Sequence, residues 1–225
     1  RNLLIGSEGT LGVITAASLM LHPKPAGEGT AVMSVTGPEA ALTLLAMARD
    51  HMGEGISAFE LMHRMGLDFL TETMSDVKQP FDYAPEWMVL IDIGLAKGLD
   101  PAGALEVLFA EAYEAGLVRD GVIAQSEAQR AELWAVRETI PEANRRIGSI
   151  SSHDISVPLG AIPDFIETGN AALAALGPFR INCFGHVGDG NLHYNVFPPK
   201  GKTKEAYTPL RDAIKRTVHD AVHAL

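Results

Sequence analysis

The stretch "FGHVGDGNLHYNVF", residues 184–197, predicts a β-hairpin whose strand pairing decides the class of sheet. Asp189-Gly190 stands between two apolar extended runs. An Asp-Gly pair in this setting is a strong signal for a two-residue type I′ turn. Two strands joined by so short a turn are antiparallel, because parallel strands need a long crossover connection. The stretch therefore favours an antiparallel sheet.

The predicted register places two histidines next to each other. With Asp189-Gly190 as the turn, His186 pairs directly with His193, and Asn195 lies on the same face because alternate residues of a strand share a side. Two imidazoles so placed can share a Zn²⁺-like ion, although a catalytic zinc normally takes three protein ligands. A hairpin with two solvated histidines is the alternative, and the hairpin pattern leaves it open.

Outward from the hairpin, strand-like and helix-like segments alternate with short connections. This alternation, together with the hairpin, predicts an α+β fold with helices on one face of a mainly antiparallel sheet. The predicted strands are 30–35, 56–61, 87–93, 121–125, 149–158, 180–187 and 192–197, and the predicted helices are 38–52, 63–74, 100–116, 126–148, 161–176 and 203–225.

Composition excludes several classes of protein. The chain has 225 residues, a net charge of −10 and no Lys/Arg run, which argues against nucleic acid or an anionic membrane as the main partner. No apolar stretch approaches the length of about 20 residues that a membrane helix needs. A single cysteine predicts a reducing compartment, and we expect a cytoplasmic location. The chain begins at Arg1 and ends within a helical pattern, so we expect a fragment of a longer protein.

Three segments, in order along the chain, resemble one known family. "GHVGDGNLHYN" resembles the H-x-G-D-G-N-x-H signature in the C-terminal domain of FAD-linked oxidases. That group holds D-lactate dehydrogenases, the glycolate oxidase FAD subunit and D-2-hydroxyglutarate dehydrogenase. "NLLIGSEGTLGVITAASLMLHPKP" resembles the end of the family's FAD-binding domain, and "ELWAVRETIPEA" resembles its L-W-x-x-R-E-x-I-x-E-A helix. The resemblance spans residues 2–197.

The resemblance implies two domains and a flavin cofactor. Residues 1–26 would be the tail of an FAD-binding domain, and residues 27–225 a ferredoxin-like substrate or cap domain that is incomplete at its C-terminus. The Gly-rich turn "GSEGTLG" by itself is typical of an ordinary loop, and the resemblance is what assigns it to the flavin. The flavin-lining residues implied are Ser7, Glu8, Gly9, Gly12 and Ile14.

The resemblance also implies roles at the substrate. His186 and His193 would bind a divalent metal, Zn²⁺ or similar, completed by a glutamate expected beyond Leu225. Arg137 would bind the substrate carboxylate, whereas in isolation it looks like a surface or capping residue. Asn195 would contact the substrate and orient it.

Two positions depart from the 2-hydroxyglutarate enzymes of this family. Those enzymes have a substrate-contacting threonine where this chain has Pro141, and a lysine where it has Ser152. The departures argue against a second carboxylate bound in the same way and favour a smaller or different 2-hydroxy acid. His153 and Asp154 could form a substitute polar pair, and a strand-end hydrogen bond is the alternative.

The sequence is thus read as part of an FAD-dependent D-2-hydroxy acid dehydrogenase. The expected partners are a lactate-, glycolate- or 2-hydroxyglutarate-class substrate and an electron acceptor, either a quinone or an electron-transfer protein; a homodimer is possible. We expect residues 1–225 alone to bind no FAD and to show no turnover. The rival hypotheses are a metal-dependent hydrolase with Asp189 or Asp154 as third ligand, and a non-catalytic interaction domain.

Overall fold

A computed structural model describes residues 2–225 and contains one seven-stranded sheet. Its strands are β1 (Gly27–Val35), β2 (Ile56–His63), β3 (Trp87–Leu95), β4 (Val118–Ile123), β5 (Ser151–Ser156), β6 (Arg180–His186) and β7 (Asn191–Phe197). They lie in the order β4-β1-β3-β2-β6-β7-β5, and every neighbouring pair is antiparallel. The predicted α+β class and antiparallel sheet are confirmed.

Six helices connect and cover the strands. They are α1 (Pro38–Met52), α2 (Arg64–Thr73), α3 (Pro101–Glu114), α4 (Glu127–Ile147), α5 (Ile162–Ala174) and α6 (Arg211–His223). The first residues of the predicted helix 203–225 instead form a 3-10 segment, Lys204–Leu210. Helix α4 starts at a side-chain cap, because the Gln129 amide donates to Ser126 Oγ at 3.3 Å. This cap satisfies one of the amides that a helix N-terminus leaves unpaired.

The helices cover both faces of the sheet, so the expectation of helices on one face was wrong. Helices α1, α3, α5 and α6 pack on one side, against inward residues such as Met33 and Ile91. Helices α2 and α4 pack on the other side, against Val32 and Leu90. The reason is visible in β1 and β3. Nearly all of their residues are buried, although successive side chains point to opposite faces of the sheet. A strand with apolar residues on both faces needs cover on both.

The strand order divides the sheet into two similar units that meet at β2 and β6. The first unit, β4-β1-β3-β2, has the order of a ferredoxin-like sheet. In the second unit, β5, β7 and β6 repeat the neighbour relations of β1, β3 and β2. The outer strands of the whole sheet are β4 and β5. The two units therefore join through equivalent strands in the middle of the sheet.

Residues 2–26 precede the sheet and contain no helix or strand. Large apolar side chains in this segment are exposed, Leu21 by 88%. The sheet begins at Gly27, one residue after the domain boundary predicted at residue 26, and the two-domain assignment stays a prediction. Within residues 2–225, none of the helices combines the length and apolar character that crossing a membrane requires.

Candidate functional site

The hairpin of β6 and β7 differs from its predicted register by two residues. Phe184, and not His186, lies opposite His193. The connection is a 3-10 turn over Val187–Asp189 followed by Gly190 in the left-handed region, which is longer than a two-residue turn. Because side chains alternate with a period of two, a shift of two residues keeps every side chain on its face. The two histidines therefore still share one face, on the side covered by α2 and α4.

The end of β6 leaves β7 and pairs with β2 instead. This pairing sets His186 opposite Glu60 and Gly185 opposite Leu61. Gly185 has φ +157°, and a Cβ there would lie 2.5 Å from the Asn191 carbonyl oxygen. Only glycine fits such a close approach of two backbones. The diverted strand brings His186 to a carboxylate on β2.

Glu60 is the centre of the site and was missed by the sequence interpretation. Its Oε1 lies 2.5 Å from His186 Nδ1, and its Oε2 accepts a hydrogen bond from Arg137 Nε at 2.7 Å. The Glu60 and Arg137 side chains are 5% and 9% exposed. The guanidinium carbon of Arg137 lies 4.8 Å from the centre of the Phe184 ring. A charged residue inside an apolar strand was the available signal, since a buried charge needs a partner.

The two histidines are both held by a carboxylate at Nδ1. His193 Nδ1 lies 3.3 Å from Asp154 Oδ1 on β5, as His186 Nδ1 faces Glu60. The ring centroids are 5.6 Å apart and the ring planes cross at 80°. Neither Nε2 makes a hydrogen bond to a residue in the range 2–225. Metal-binding histidines typically direct one ring nitrogen to such a carboxylate and keep the other for the metal.

The surroundings of His193 favour its neutral imidazole. Burial lowers the pKa of His193 below its ordinary value, and its neighbours Arg137 and His186 lower it further. Asp154 and Glu60 act in the opposite direction, and the balance is a lowered pKa. A neutral imidazole is the form that can bind a metal.

A cavity of about 480 Å³ opens beside this cluster. Of the predicted site residues, His193 and Asn195 line it, whereas His186 and Arg137 do not. Arg137 lies behind Phe184, which does line the cavity. The remaining lining residues are Pro141, Asn144, Arg145, Ser149, Ser152, His153 and Asp154. Pro141 and Ser152, the two departures expected from the family resemblance, thus both line this cavity.

His153 and Asp154 both line the cavity, although their side chains leave β5 on opposite faces because adjacent strand residues alternate. Their role as a substitute polar pair stays a prediction. The His153 ring packs against His219 of α6 with centroids 5.7 Å apart, and its Nε2 finds no hydrogen-bond partner among the residues described. Burial, with added repulsion from His219 and Lys215, lowers the pKa of His153 to about 4. Asp154 instead accepts a hydrogen bond from Asn191 Nδ2 at 2.8 Å.

The predicted flavin-lining residues lie outside this cluster. They lie in the segment before the sheet, where Glu8 and Gly9 form a turn and the Thr10 backbone amide donates to the Ser7 carbonyl at 2.9 Å. Gly9 and Gly12 have φ of +80° and +155°, as the Gly-rich pattern suggested. The flavin contacts of these residues stay a prediction. The five predicted residues are absent from the cavity lining: Ser7, Glu8, Gly9, Gly12 and Ile14.

Comparison with known proteins first defines the class of domain. The solved structure of alkyldihydroxyacetonephosphate synthase matches 99% of this chain and 44% of its own, with a TM-score of 0.58 and 12% identity. The chain thus has the fold of an α+β domain that occurs within a larger enzyme. The family model "FAD linked oxidases, C-terminal domain" matches residues 24–224, and the chain belongs to that family. The resemblance inferred from the three sequence segments is confirmed.

The curated relatives are longer than this chain. A mitochondrial D-2-hydroxyglutarate dehydrogenase of Bos taurus is 34% identical over 221 residues, which are 98% of this chain and 39% of the relative. A D-2-hydroxyglutarate dehydrogenase of Xanthomonas citri pv. viticola is 31% identical over 223 residues, 99% of this chain and 46% of the relative. The chain therefore spans less than half of the length of these relatives.

Proposed function

We propose that this chain is the substrate-binding part of a flavin-dependent oxidoreductase that oxidises a D-2-hydroxy acid to the 2-oxo acid. The observation that carries the proposal is the buried Arg137 held by Glu60 next to two histidines held at Nδ1. The terminal nitrogens of Arg137 make no hydrogen bond within the part of the chain described. A planar guanidinium with a free edge suits a carboxylate, which it can bind bidentately. Family membership supports the flavin chemistry.

Each residue has a distinct role in this proposal. Arg137 binds the substrate carboxylate, which fixes C2 and its hydroxyl near the histidines. Asn195, 8% exposed at the cavity wall, orients the substrate through its amide. The substrate would lose a hydride from C2 to a bound flavin, which supplies the redox chemistry, and the proton of its hydroxyl to the histidine that the family resemblance predicts beside the glutamate beyond Leu225. Ser7, Glu8, Gly9, Gly12 and Ile14 would lie against that flavin.

His186 and His193 would hold a divalent metal such as Zn²⁺ through their free Nε2 atoms. The contact of His186 Nδ1 with Glu60 fits this role, because a hydrogen bond there fixes the ring and its tautomer, and Asp154 lies 3.3 Å from His193 Nδ1 on the corresponding side of the second ring. A metal there would lower the pKa of the substrate hydroxyl. Within residues 2–225 no group of three or more His, Cys, Asp or Glu side chains could hold a metal. The remaining ligand would come from the glutamate that the family resemblance predicts.

The proposed substrate class is inferred from the residues that line the cavity. Pro141 and Ser152 replace side chains that contact substrate in 2-hydroxyglutarate enzymes, and the wall keeps one arginine, Arg145, which is bound to Glu142 at 2.7 Å. These features favour a monocarboxylate such as lactate or glycolate. A quinone or an electron-transfer protein would reoxidise the flavin, and a homodimer stays a prediction. The cytoplasmic location also stays a prediction; the bovine relative is named as mitochondrial.

The hydrolase hypothesis gains no support from the two aspartates proposed as third ligand. Asp154 is engaged by His193 and Asn191. Asp189 accepts the Asn191 amide within the hairpin turn at 3.1 Å.

The test uses the protein at its full natural length, with any sequence adjoining residues 1 and 225 included. We expect flavin absorption bands that D-lactate or D-2-hydroxyglutarate bleaches and the L-enantiomers do not. Chelation should abolish the bleaching, and Zn²⁺ should restore it. A colourless protein, or flavin bands that no 2-hydroxy acid bleaches, would refute the proposal.

A further inference from the structure

We infer that Glu60 is a positioning residue that holds the substrate arginine and the metal-side histidine in one fixed geometry. The roles of Arg137 and His186 rest on the proposed function, whereas the geometry does not. Glu60 uses one carboxylate oxygen for each partner, at 2.5 Å to His186 Nδ1 and 2.7 Å to Arg137 Nε.

Three features set the geometry of this link when β2 and β6 are paired. Glu60 lies on a central strand, and its side chain is 5% exposed. Arg137 is fixed from a second direction by the Phe184 ring. His186 lies directly opposite Glu60 in the sheet, so the backbone pairing sets their distance. Residues held by strands and by packing keep their geometry better than residues on loops.

Charge balance explains why one carboxylate can serve both partners. Arg137 neutralises the buried Glu60 charge, and a buried carboxylate without a cation would be strongly unfavourable. The second oxygen then accepts the Nδ1 proton of the imidazole, which leaves the Nε2 lone pair directed to the exposed side. The His186 side chain is 49% exposed, and its Nε2 makes no hydrogen bond to a residue in the range 2–225. Glu60 therefore fixes both the orientation of Arg137 and the tautomer of His186.

The first test is made on the wild-type chain. Long-range ¹H–¹⁵N correlation spectra at about pH 8, above the ordinary histidine pKa of about 6.5, show which ring nitrogen carries a proton. The His186 signals are assigned with His186→Gln. We expect a proton on Nδ1. An unprotonated Nδ1 would overturn the inference without the need for any variant.

The second test compares Glu60→Gln with a matched control. A glutamine replaces one of the two carboxylate oxygens by an NH2 donor, so in the wild-type geometry one of the two partners would face a donor and not an acceptor. We expect Glu60→Gln to shift the His186 ring signals or the Arg137 Nε–H signal, or both. The control, Asp92→Asn, changes another buried carboxylate that faces an α4 arginine, and it should leave these signals unchanged. Equal shifts in the two variants would reduce Glu60 to a general structural role and overturn the inference.

Metal binding separates this inference from the proposed function. Titration with Co²⁺, followed by its visible spectrum, should show binding to wild type that is about 10- to 100-fold weaker in Glu60→Gln, the usual effect of losing such an outer partner. Binding of equal strength in both would contradict the inference. Absence of Co²⁺ binding to wild type would count against the metal in the proposed function, and the nitrogen spectra would still decide the role of Glu60.

Discussion

Helix α4 presents two arginines to the sheet, and their carboxylate partners differ in what surrounds them. Arg130 pairs with Asp92 of β3, its Nη2 2.9 Å from Oδ2, and Arg137 pairs with Glu60 of β2. Asp92 also accepts hydrogen bonds from Thr30 Oγ1 and from Trp134 Nε1, the latter at 3.2 Å. All these donors belong to groups packed between helix and sheet. The hydrogen-bonding capacity of Asp92 is therefore used within the protein.

The Glu60–Arg137 pair, by contrast, has hydrogen-bonding groups that no described residue uses. Glu60 has one hydrogen bond on each oxygen, and one of these goes to a half-exposed histidine. Arg137 retains terminal nitrogens without a protein partner among the described residues. The same helix and the same pairing of charges thus occur in two different hydrogen-bonding environments. In the proposed function, the unpaired donors of Arg137 bind the substrate carboxylate, whereas the Asp92 cluster stabilises the packing.

Replacing each arginine by lysine gives the largest expected difference between the two clusters. Arg137→Lys keeps a charge next to Glu60 but removes the planar fork, so we expect kcat/KM for the 2-hydroxy acid to fall about 10²- to 10³-fold in the full-length protein. Arg130→Lys should change kcat/KM by less than about threefold, because Arg130 is not part of the proposed substrate site. Steady-state kinetics on both variants test this. Equal losses of kcat/KM in the two variants would contradict a specific role of Arg137 in substrate binding.

Asp92→Asn should mainly reduce stability. The free energy of unfolding should fall by about 2–3 kcal/mol, because Arg130 loses its partly buried counter-charge. Urea denaturation followed by circular dichroism measures this value, and Thr43→Ala on the exposed side of α1 serves as a reference. A loss of substrate affinity without a loss of stability would show that the Asp92 cluster is not a structural element.

The open side of the Glu60 cluster can be extended towards a second carboxylate. Ser152→Lys adds a cation to the cavity wall and should raise kcat/KM for D-2-hydroxyglutarate relative to D-lactate about tenfold, or about 1.4 kcal/mol. Ser152→Met, which is similar in length but uncharged, should leave the ratio unchanged. An unchanged ratio in the lysine variant would mean that the distal end of the substrate lies elsewhere.

Removing the N-terminal cap of α4 should have the smallest effect. Ser126→Ala should lower the free energy of unfolding by about 1 kcal/mol, and Ser126→Asp should restore it. The cap lies one turn from Arg130 and farther from Arg137. Hydrogen exchange should therefore increase at the start of α4 and not near Arg137. Increased exchange near Arg137 would mean that α4 responds as one unit.

Local sequence patterns predicted the antiparallel sheet, but the prediction placed helices on only one of its two faces. Alternation of strands and helices predicted the antiparallel sheet and most element boundaries, α1 at residues 38–52 among them. The two-sided burial of β1 and β3 was visible as near-continuous apolar runs, which indicate strands covered on both faces. The hairpin register was wrong because a turn motif predicts only the turn, whereas pairing with β2 decides where β6 ends.

Only the site residues that lie within recognisable motifs could be predicted from the sequence. The signature histidines and Arg137 lie in segments that resemble the family, whereas Glu60 lies in "ISAFELMH", which reads as an ordinary strand. Its partners are 77 and 126 residues away in the chain. Such contacts depend on sheet topology, which one sequence does not specify. Asn195 lines the cavity, and its contact with the substrate stays a prediction, as do the flavin-lining assignments.

The pairing between β2 and β6 is short, which favours local opening of the sheet at this point. It joins the two units through three residue pairs, fewer than any other strand pairing described, and Glu60–His186 is the last of them. Short pairings open more readily than long ones, because fewer bonds break together. A local opening there would separate the histidine from its carboxylate while both units stay folded. We therefore expect the competence of the site to depend on a local equilibrium within the native state, so that weakening this junction could inactivate the protein without unfolding it.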